Sequence, residues 1–458
     1  MGRSPLLPVL LAMIVLLMPL LAWLGGQRTE SRAIHRRGVL VHSGRRAQRR
    51  AARHRRHADA VTVAGIPVPL LDETKHFKII GTTGTGKSTA IRELLAGAVG
   101  RGDRAVIADP DGGYQRHFHD RYRGDVILNP FEPGSVKWDW FGEMTSAYDV
   151  EQLATGLIPT AEDAAAQEWR SYARTFVTAV LRRCHQAGCA DAAELWRLLT
   201  IAGPEELRLL VAGTPAQPFL DPENARMFGS IRAVTVSAVA AFEHIRSQRT
   251  SLFSVRSWVR ARGRPGLLFI PYKASQIAAL RTVIAAWVRL SIFEAMSGVE
   301  GEDQRLWFVV DELDALGAID GLKDALARLR KFGGRCVLGF QSAAQASVTY
   351  GSGNAQVIIE NCGNTLILRC SGSENGGTSQ FASRLIGERE VLRRQTTRGR
   401  DRAAGFGAGG ARRTTNVSDQ TATETAVMAS ELEQLPDLTG YLKLASSPAW
   451  LKVRVSRS

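Results

Sequence analysis

The residues best suited to chemistry form a glycine-rich loop between an apolar strand and a helical pattern. Residues 81–88 read G-T-T-G-T-G-K-S and follow the apolar run Phe77–Ile80. Glycines let backbone N–H groups close around phosphate oxygens, and the following helix N-terminus adds favourable partial charge. Lys87 can reach the terminal phosphates of a nucleotide, and the Ser88 hydroxyl can ligate Mg²⁺. The predicted nucleotide contacts are Gly81, Thr82, Thr83, Gly84, Thr85, Gly86, Lys87, Ser88 and Thr89.

A second apolar strand ends in two acids that complete such a site. Leu306–Val310 is followed directly by Asp311 and Glu312. An acid at this place can hold Mg²⁺ through a water, and a neighbouring acid can orient and deprotonate the attacking water. We therefore assign Asp311 to the metal and Glu312 to the water. With Lys87 on the phosphates, the pattern predicts hydrolysis of ATP with Mg²⁺ as cofactor.

A third apolar run, Cys336–Phe340, ends in Gln341. An amide there senses the γ-phosphate or positions water, or is simply a polar residue at a strand end, and the residue alone leaves both open. A helix predicted over 321–332 carries Arg330 near its basic end, where surface charge that compensates the helix dipole is a sufficient explanation. Any further role for Arg330 needs another argument.

These residues need a scaffold, which the strand pattern supplies. Strands alternating with helices predict an α/β fold with a doubly wound, mainly parallel sheet. Residues 145–262 lose the strand pattern and are Ala/Leu-rich with helical spacing, which predicts an all-α domain inserted between 61–144 and 263–458. The further predicted strands are Arg104–Asp109, Val126–Leu128, Leu267–Tyr272, Thr365–Arg369, and a hairpin of Tyr441–Leu444 with Leu451–Val455.

The N-terminus predicts a membrane anchor. Residues 4–27 carry no charge, and a helix of about 20 apolar residues crosses a bilayer. The following basic segment is 28–60, and its residues 28–57 hold eleven arginines and one acid, so the bulk of the chain is expected in the cytoplasm with the N-terminus in the periplasm. This segment accounts for most of the formal net charge of +15. The five cysteines form no C-x-x-C pair, which favours reduced core thiols.

A second basic stretch lies near the C-terminus. Residues 393–413 hold seven arginines and one acid among glycines, so we expect a flexible Arg/Gly-rich loop over 393–425. The loop is either a solubilising insertion or a segment that grips a phosphate backbone, and the sequence favours neither.

In this combination of motifs the chain resembles the coupling ATPases of conjugative type IV secretion, of the TraD and TrwB type. The resemblance implies a RecA-like, additional-strand P-loop ATPase in the bacterial inner membrane, assembled as a homohexamer. It also implies that relaxase-bound DNA and secretion-channel subunits are partners, that Arg330 stabilises the γ-phosphate of a neighbouring subunit, and that Gln341 is the sensor. The stretches that carry the resemblance are Gly81–Ser88, Arg104–Pro110, Val126–Phe131 with Trp138, Val310–Leu313, Arg330–Gly334 and Leu338–Ser342.

The chain also departs from this family. One span is expected where most relatives have two, and the long acidic tail of TraD-type members is not expected. Glycine follows Asp109-Pro110-Asp111 where many relatives carry an acid, so Asp109 receives no catalytic role. Two other functions stay open: a DNA pump like FtsK or HerA, and a non-catalytic docking receptor for secreted proteins. Glu312 argues against the receptor, because a scaffold has no need of a general base.

Overall fold

The computed structural model describes residues 34–53, 60–161, 163–189, 191–301, 303–373, 377–401 and 412–456. The chain divides into two compact units. The smaller comprises the described parts of Met1–Leu40 and Ile386–Ala426, and the larger those of Val41–Leu385 and Val427–Ser458.

The elements follow the order that the sequence predicts, with additions. The strands are β1 (Ile34–Gly38), β2 (Leu40–Ser43), β3 (Thr62–Val63), β4 (Ile66–Pro67), β5 (Phe77–Ile80), β6 (Arg104–Pro110), β7 (Val126–Ile127), β8 (Lys137–Trp138), β9 (Leu252–Phe253), β10 (Leu267–Tyr272), β11 (Leu306–Val310), β12 (Gly334–Phe340), β13 (Asn364–Ile367), β14 (Glu388–Asp401), β15 (Arg412–Thr425), β16 (Thr439–Lys443) and β17 (Ala449–Arg454). The α-helices are Arg45–Arg53, Leu70–Glu73, Lys87–Gly100, Gly113–Phe118, Ala147–Leu157, Ala164–Gln186, Ala192–Thr200, Pro204–Leu210, Ala225–Ala238, Phe242–Ser247, Val255–Arg260, Ile277–Ala295, Leu322–Leu329, Ala343–Tyr350, Ser352–Glu360, Gly377–Ile386 and Ala429–Glu433.

A ten-stranded sheet forms the centre of the larger unit, in the order β2-β17-β16-β13-β5-β12-β11-β6-β10-β7. The strands from β13 to β7 run parallel, and the predicted hairpin β16–β17 joins antiparallel to β13. β12 lies between β5, which leads into the glycine-rich loop, and β11, which leads into the two acids. This is the additional strand of the predicted fold class, and the mainly parallel sheet is confirmed.

The two faces of the sheet are covered by different helices, which is why its strands read as continuous apolar runs. Ile79, Ile107 and Val309 alternate onto the face that packs with Leu94 of the helix Lys87–Gly100. The helix Ile277–Ala295 packs against β6, β10 and β11 and buries most of its surface. The loops at the carboxyl ends of these strands therefore rest on a rigid support.

Among the described residues of 145–262, the regular elements are helices apart from one strand, β9, which pairs with β8. The first helix of this region begins with a capping box in which Ser146 and Asp149 exchange hydrogen bonds. Trp138, buried beside Trp287 and Phe242, joins the region to the sheet. These residues belong to the larger compact unit, so their status as a separate domain stays a prediction.

The smaller unit corrects the expected flexible loop over 393–425 at residues 393–401 and 412–425, which form strands, whereas 402–411 lie outside the described residues. β14 pairs antiparallel with β15 from Glu388↔Thr425 to Asp401↔Arg412, and β1 pairs with β14 on its other side. The correction has a physical reason. β15 is rich in threonine, which favours strands, and Arg389 and Arg393 of β14 both bind Glu424 of β15 across the pair. The prediction of a flexible loop was based on the arginine and glycine content, which does not indicate how the two strands pair.

The expected anchor over residues 1–27 lies outside the described residues. Within the described part of the chain, no helix is both long enough and apolar enough to cross a bilayer. The basic segment 28–60 is described at 34–53 and 60, where it forms β1, β2 and the helix Arg45–Arg53.

Candidate active site

The predicted motifs meet at the carboxyl ends of three neighbouring parallel strands. β5 delivers the glycine-rich loop, β11 delivers Asp311 and Glu312, and β12 delivers Gln341. The side chains surround a cleft of about 310 Å³. Its lining residues are Thr83, Gly84, Gly86, Lys87, Ser88, Thr89, Arg92, Asp311, Glu312, Asp437 and Leu438.

The glycine-rich loop has the conformation that a phosphate cradle needs. Gly84 and Gly86 have φ of +79° and +112°, a region that side chains disfavour. A Cβ on Gly86 would also lie 2.6 Å from Cδ2 of Leu438. Lys87 Nζ donates to the carbonyls of Gly81 and Thr82 at 2.7 and 3.2 Å, which holds the ammonium group over the loop. Burial lowers the pKa of Lys87, while the charges of the two nearby acids act to raise it.

The acidic strand contacts the loop through one carboxylate. Ser88 Oγ donates to Asp311 Oδ2 at 2.5 Å, and the hydroxyl of Tyr114 donates to the same oxygen at 2.8 Å. The other oxygen, Oδ1, is buried and has no hydrogen-bond partner among the described residues. A buried acceptor without a donor, beside a serine hydroxyl, is the donor set that Mg²⁺ prefers. The residues present therefore fit the predicted metal.

The two other polar residues of the site contact each other. Gln341 Nε2 donates to Glu312 Oε1 at 2.6 Å, and Thr83 Oγ1 donates to Gln341 Oε1 at 3.3 Å. Burial raises the pKa of Glu312, and the neighbouring charge of Asp311 raises it further. The amide thus orients a carboxylate whose basicity is increased, as a general base requires.

The structure does not bring Arg330 to this cleft. Arg330 is exposed in a short 3₁₀ turn directly before β12, whereas Gln341 follows the last residue of that strand. Since β12 has seven residues, Arg330 lies about 23 Å from the carboxyl end of this strand, which is the end that borders the cleft. Arg330 is therefore too far away to contact a nucleotide bound in the cleft of its own chain.

Sequence analysis missed four residues of the site. Tyr114 lies in the helix Gly113–Phe118, and the Asp109 carboxylate accepts hydrogen bonds from backbone N–H groups in the first turn of this helix. Arg92 lies one helical turn after Ser88, a spacing that could have indicated it. Asp437 and Leu438 reach the cleft from 350 residues downstream, and no local signal marks them. The N–H of Leu438 donates to the carbonyl of Thr85 at 2.9 Å, so this turn braces the loop.

The fold and the site define a RecA-like P-loop NTPase with an additional strand. The chain belongs to the family described as the type IV secretion-system coupling protein DNA-binding domain, whose model matches residues 60–456. The family predicted from the motifs is confirmed.

Two kinds of relatives were found. The chain is 30% identical over 391 residues to Coupling protein TraD of Escherichia coli (strain K12). The match covers 84% of this chain and 53% of that protein, so the chain spans about half the length of this curated relative. The solved structure of the bacterial conjugative coupling protein TrwBΔN70, in an unbound form, is similar with a TM-score of 0.80 and 32% identity, covering 93% of this chain and 94% of that one. TrwB in complex with ADP and Mg²⁺ is similar with a TM-score of 0.79 and 32% identity, covering 93% and 94%.

Proposed function

We propose that this chain is the coupling ATPase of a conjugative type IV secretion system, which recruits relaxase-bound DNA and uses ATP hydrolysis to drive its transfer. The observation that carries the proposal is the contact between the glycine-rich loop and the acidic strand, through Ser88 and Asp311, in a chain of the coupling-protein family. The nucleotide complexes of TrwB support the choice of substrate and metal.

The chain's own residues have distinct roles in hydrolysis. Ser88 and Asp311 would hold Mg²⁺, which neutralises negative charge on the phosphates when bound. Lys87, near the end of the glycine-rich loop, binds the terminal phosphates of the nucleotide. Glu312 accepts the proton of the attacking water, and Gln341 holds the Glu312 carboxylate in place. In this scheme the loop binds the substrate and the acidic strand supplies the chemistry.

The proposal extends to assembly and location. Because Arg330 is exposed and lies far from its own cleft, its role as a γ-phosphate contact requires a neighbouring subunit in a ring, and we assign it that role in a homohexamer. We place the chain in the bacterial inner membrane, held by the apolar segment 4–27, with the bulk of the chain in the cytoplasm. Secretion-channel subunits are the expected protein partners there.

ATP hydrolysis by the full chain in lipid nanodiscs, with and without single- and double-stranded DNA, tests the proposal. We expect hydrolysis that DNA stimulates and that Lys87→Ala abolishes. Lys273→Ala is the matched control, because Lys273 is an exposed lysine paired with Glu132 away from the cleft. Nucleotide binding without hydrolysis would contradict the proposed motor. A rate of hydrolysis that DNA does not change at any concentration would contradict it too.

A further inference from the structure

A second cavity of the larger unit, of about 550 Å³, has a composition unlike that of the nucleotide cleft. It lies between the first residue of β6, the turn around Tyr122, and the segment from Trp258 to Pro265. Arginines and aromatic rings dominate its walls, and no acidic side chain of the described residues lines it. Its lining residues include Arg104, Tyr122, Arg123, Leu252, Trp258 and Arg264.

The cavity lies at the amino ends of the parallel strands, whereas the nucleotide cleft lies at their carboxyl ends. Arg104 is level with Leu306, the first residue of the parallel strand β11, whereas Asp311 follows the last. Five residues of parallel strand separate the two levels by about 17 Å. The cavity is therefore a separate site, and changes in it leave the residues of hydrolysis untouched.

Arg104 is the unusual residue of this cavity. Its side chain is buried, with the residue 8% exposed, and it has no carboxylate partner among the described residues. The guanidinium lies 4.1 Å from the centre of the Trp258 ring and donates to backbone carbonyls of Trp258 and Val259. Its Nε is buried without an acceptor in the described part of the chain. Burying an uncompensated positive charge is costly, so an anion bound in the cavity would offset that cost.

The other lining residues supply an exposed aromatic ring and a second arginine whose positive charge has no paired acid among the described residues. Tyr122 is 89% exposed, which is unusual for an aromatic residue, and Leu252 beside it is 65% exposed. Arg264 also lines the cavity and is exposed, while the charge of Arg123 is balanced by Asp125, whose side chain is buried. Exposed rings that stack on bases, interleaved with arginines that hold phosphates, are the recognition pattern for single-stranded nucleic acid.

We propose that this cavity holds one unpaired nucleotide of single-stranded DNA, with the base on Tyr122 and the phosphate between Arg104 and Arg264. The inference rests on the proposed function, to which it adds a DNA contact on the subunit itself. The volume suits a nucleotide, since pockets for ligands of that size measure about 300–1,000 Å³. A base in a duplex has both faces stacked and cannot use the Tyr122 ring, so the site selects single strands.

Fluorescence anisotropy with labelled oligothymidine and the full chain in detergent micelles tests this site. We expect Tyr122→Ala to weaken binding about tenfold, whereas Tyr122→Phe retains the ring and the affinity. Arg264→Gln is expected to reduce the slope of log affinity against log salt by about one. Tyr148→Ala, at an exposed tyrosine on the helix Ala147–Leu157, is the matched control and leaves binding unchanged.

The outcomes separate the two proposals. If the wild-type chain binds oligothymidine and neither Tyr122→Ala nor Arg264→Gln changes the affinity or its salt slope, the cavity is not a DNA site, although the function stands. Equal weakening of duplex binding by Tyr122→Ala would overturn stacking on an unpaired base. If the wild-type chain binds no DNA, the proposed function itself fails. Basal ATP hydrolysis without DNA is expected to stay at the wild-type rate in both variants.

Discussion

At the scale of single residues, the carboxylate of Glu312 makes the sharpest prediction. Glu312→Gln keeps the size of the side chain but removes the base, so we expect ATP hydrolysis to fall about 10²–10⁴-fold while nucleotide affinity is retained. Single-turnover hydrolysis and equilibrium binding of a fluorescent nucleotide measure the two quantities. Glu205→Gln, at an exposed glutamate, is the control. A loss of nucleotide binding equal to the loss of rate would assign Glu312 to binding.

The same residue predicts a pH dependence. Burial and the charge of Asp311 raise the pKa of Glu312, and only the deprotonated carboxylate accepts a proton from water. Hydrolysis should therefore decline as pH falls through this raised pKa, with an acidic limb above the ordinary range of a glutamate. The rate of Glu312→Gln should lack that limb. If the acidic limb of the wild-type hydrolysis rate lies at the usual pKa of a glutamate, burial does not raise the pKa of Glu312 as expected.

Tyr114 predicts a change in metal affinity. Its hydroxyl and that of Ser88 both donate to Asp311 Oδ2, and Asp311 is the carboxylate that would hold Mg²⁺. Tyr114→Phe removes that donor, and loss of a hydrogen bond to a metal ligand lowers metal affinity about 10–100-fold. The measurement is the Mg²⁺ dependence of fluorescent ADP binding. Tyr272→Phe is the control, because the Tyr272 hydroxyl makes no hydrogen bond with the described residues. Equal Mg²⁺ curves for the wild type and Tyr114→Phe would remove Tyr114 from this role.

The residues that the sequence predicted and those that it missed differ in one respect. Lys87 and Ser88 lie within a contiguous motif, and Asp311 follows an apolar strand, so local pattern was sufficient to find them. Tyr114 and Leu438 act through contacts with partners about 200 and 350 residues away in the chain, at Asp311 and Thr85. Leu438 also has φ of +60°, which no local residue type indicates. Their roles arise from the packing of the sheet.

At the scale of elements, Gly339 explains how β11 and β12 end so close together. A Cβ at this position would lie 1.9 Å from the carbonyl oxygen of Asp311. Gly339→Ala should therefore separate the acidic strand from its neighbour and lower the free energy of unfolding by about 4 kcal/mol or more. Thermal and denaturant unfolding measure the loss, and ATP hydrolysis should fall with it.

Gly353→Ala is the contrasting variant. No atom lies within 4 Å of a Cβ built on Gly353, which is in the helix Ser352–Glu360. Alanine there is expected to raise the free energy of unfolding by about 0.5–1 kcal/mol, because glycine is the weaker helix former. Equal destabilisation by the two variants would show that the close approach at Gly339 has no special effect.

The elements also show where sequence patterns lose their value. Buried parallel strands such as β10 and β11 were predicted residue for residue, because continuous apolar runs bounded by polar residues have few other interpretations. β15 and the part of β14 from residue 393 onwards were predicted as a loop. Their apolar positions are few, and their pairing depends on register and on ion pairs such as Arg393 with Glu424. Exposed strands with polar faces leave little hydrophobic signal to detect.

At the scale of the whole molecule, the position of Arg330 makes a prediction about assembly. The cleft of its own chain lies at the far end of β12, so a γ-phosphate contact by Arg330 requires the site of a neighbour in the proposed ring. Arg330→Ala should lose about 10³-fold or more of the hydrolysis rate while its own cleft binds nucleotide normally. Arg328→Ala, at an exposed arginine two residues earlier, should hydrolyse at the wild-type rate.

Mixing two inactive variants separates a contact in trans from a structural role. A Lys87→Ala subunit supplies an intact Arg330, and an Arg330→Ala subunit supplies an intact loop, so a site formed between them has every residue. Random mixing in a closed ring makes about one quarter of the interfaces complete. We therefore expect the mixture to recover hydrolysis that neither variant shows alone, measured after joint reconstitution in one membrane. If the mixture stays as inactive as its components, although both variants bind one another, Arg330 serves its own subunit, and the ring has a different finger.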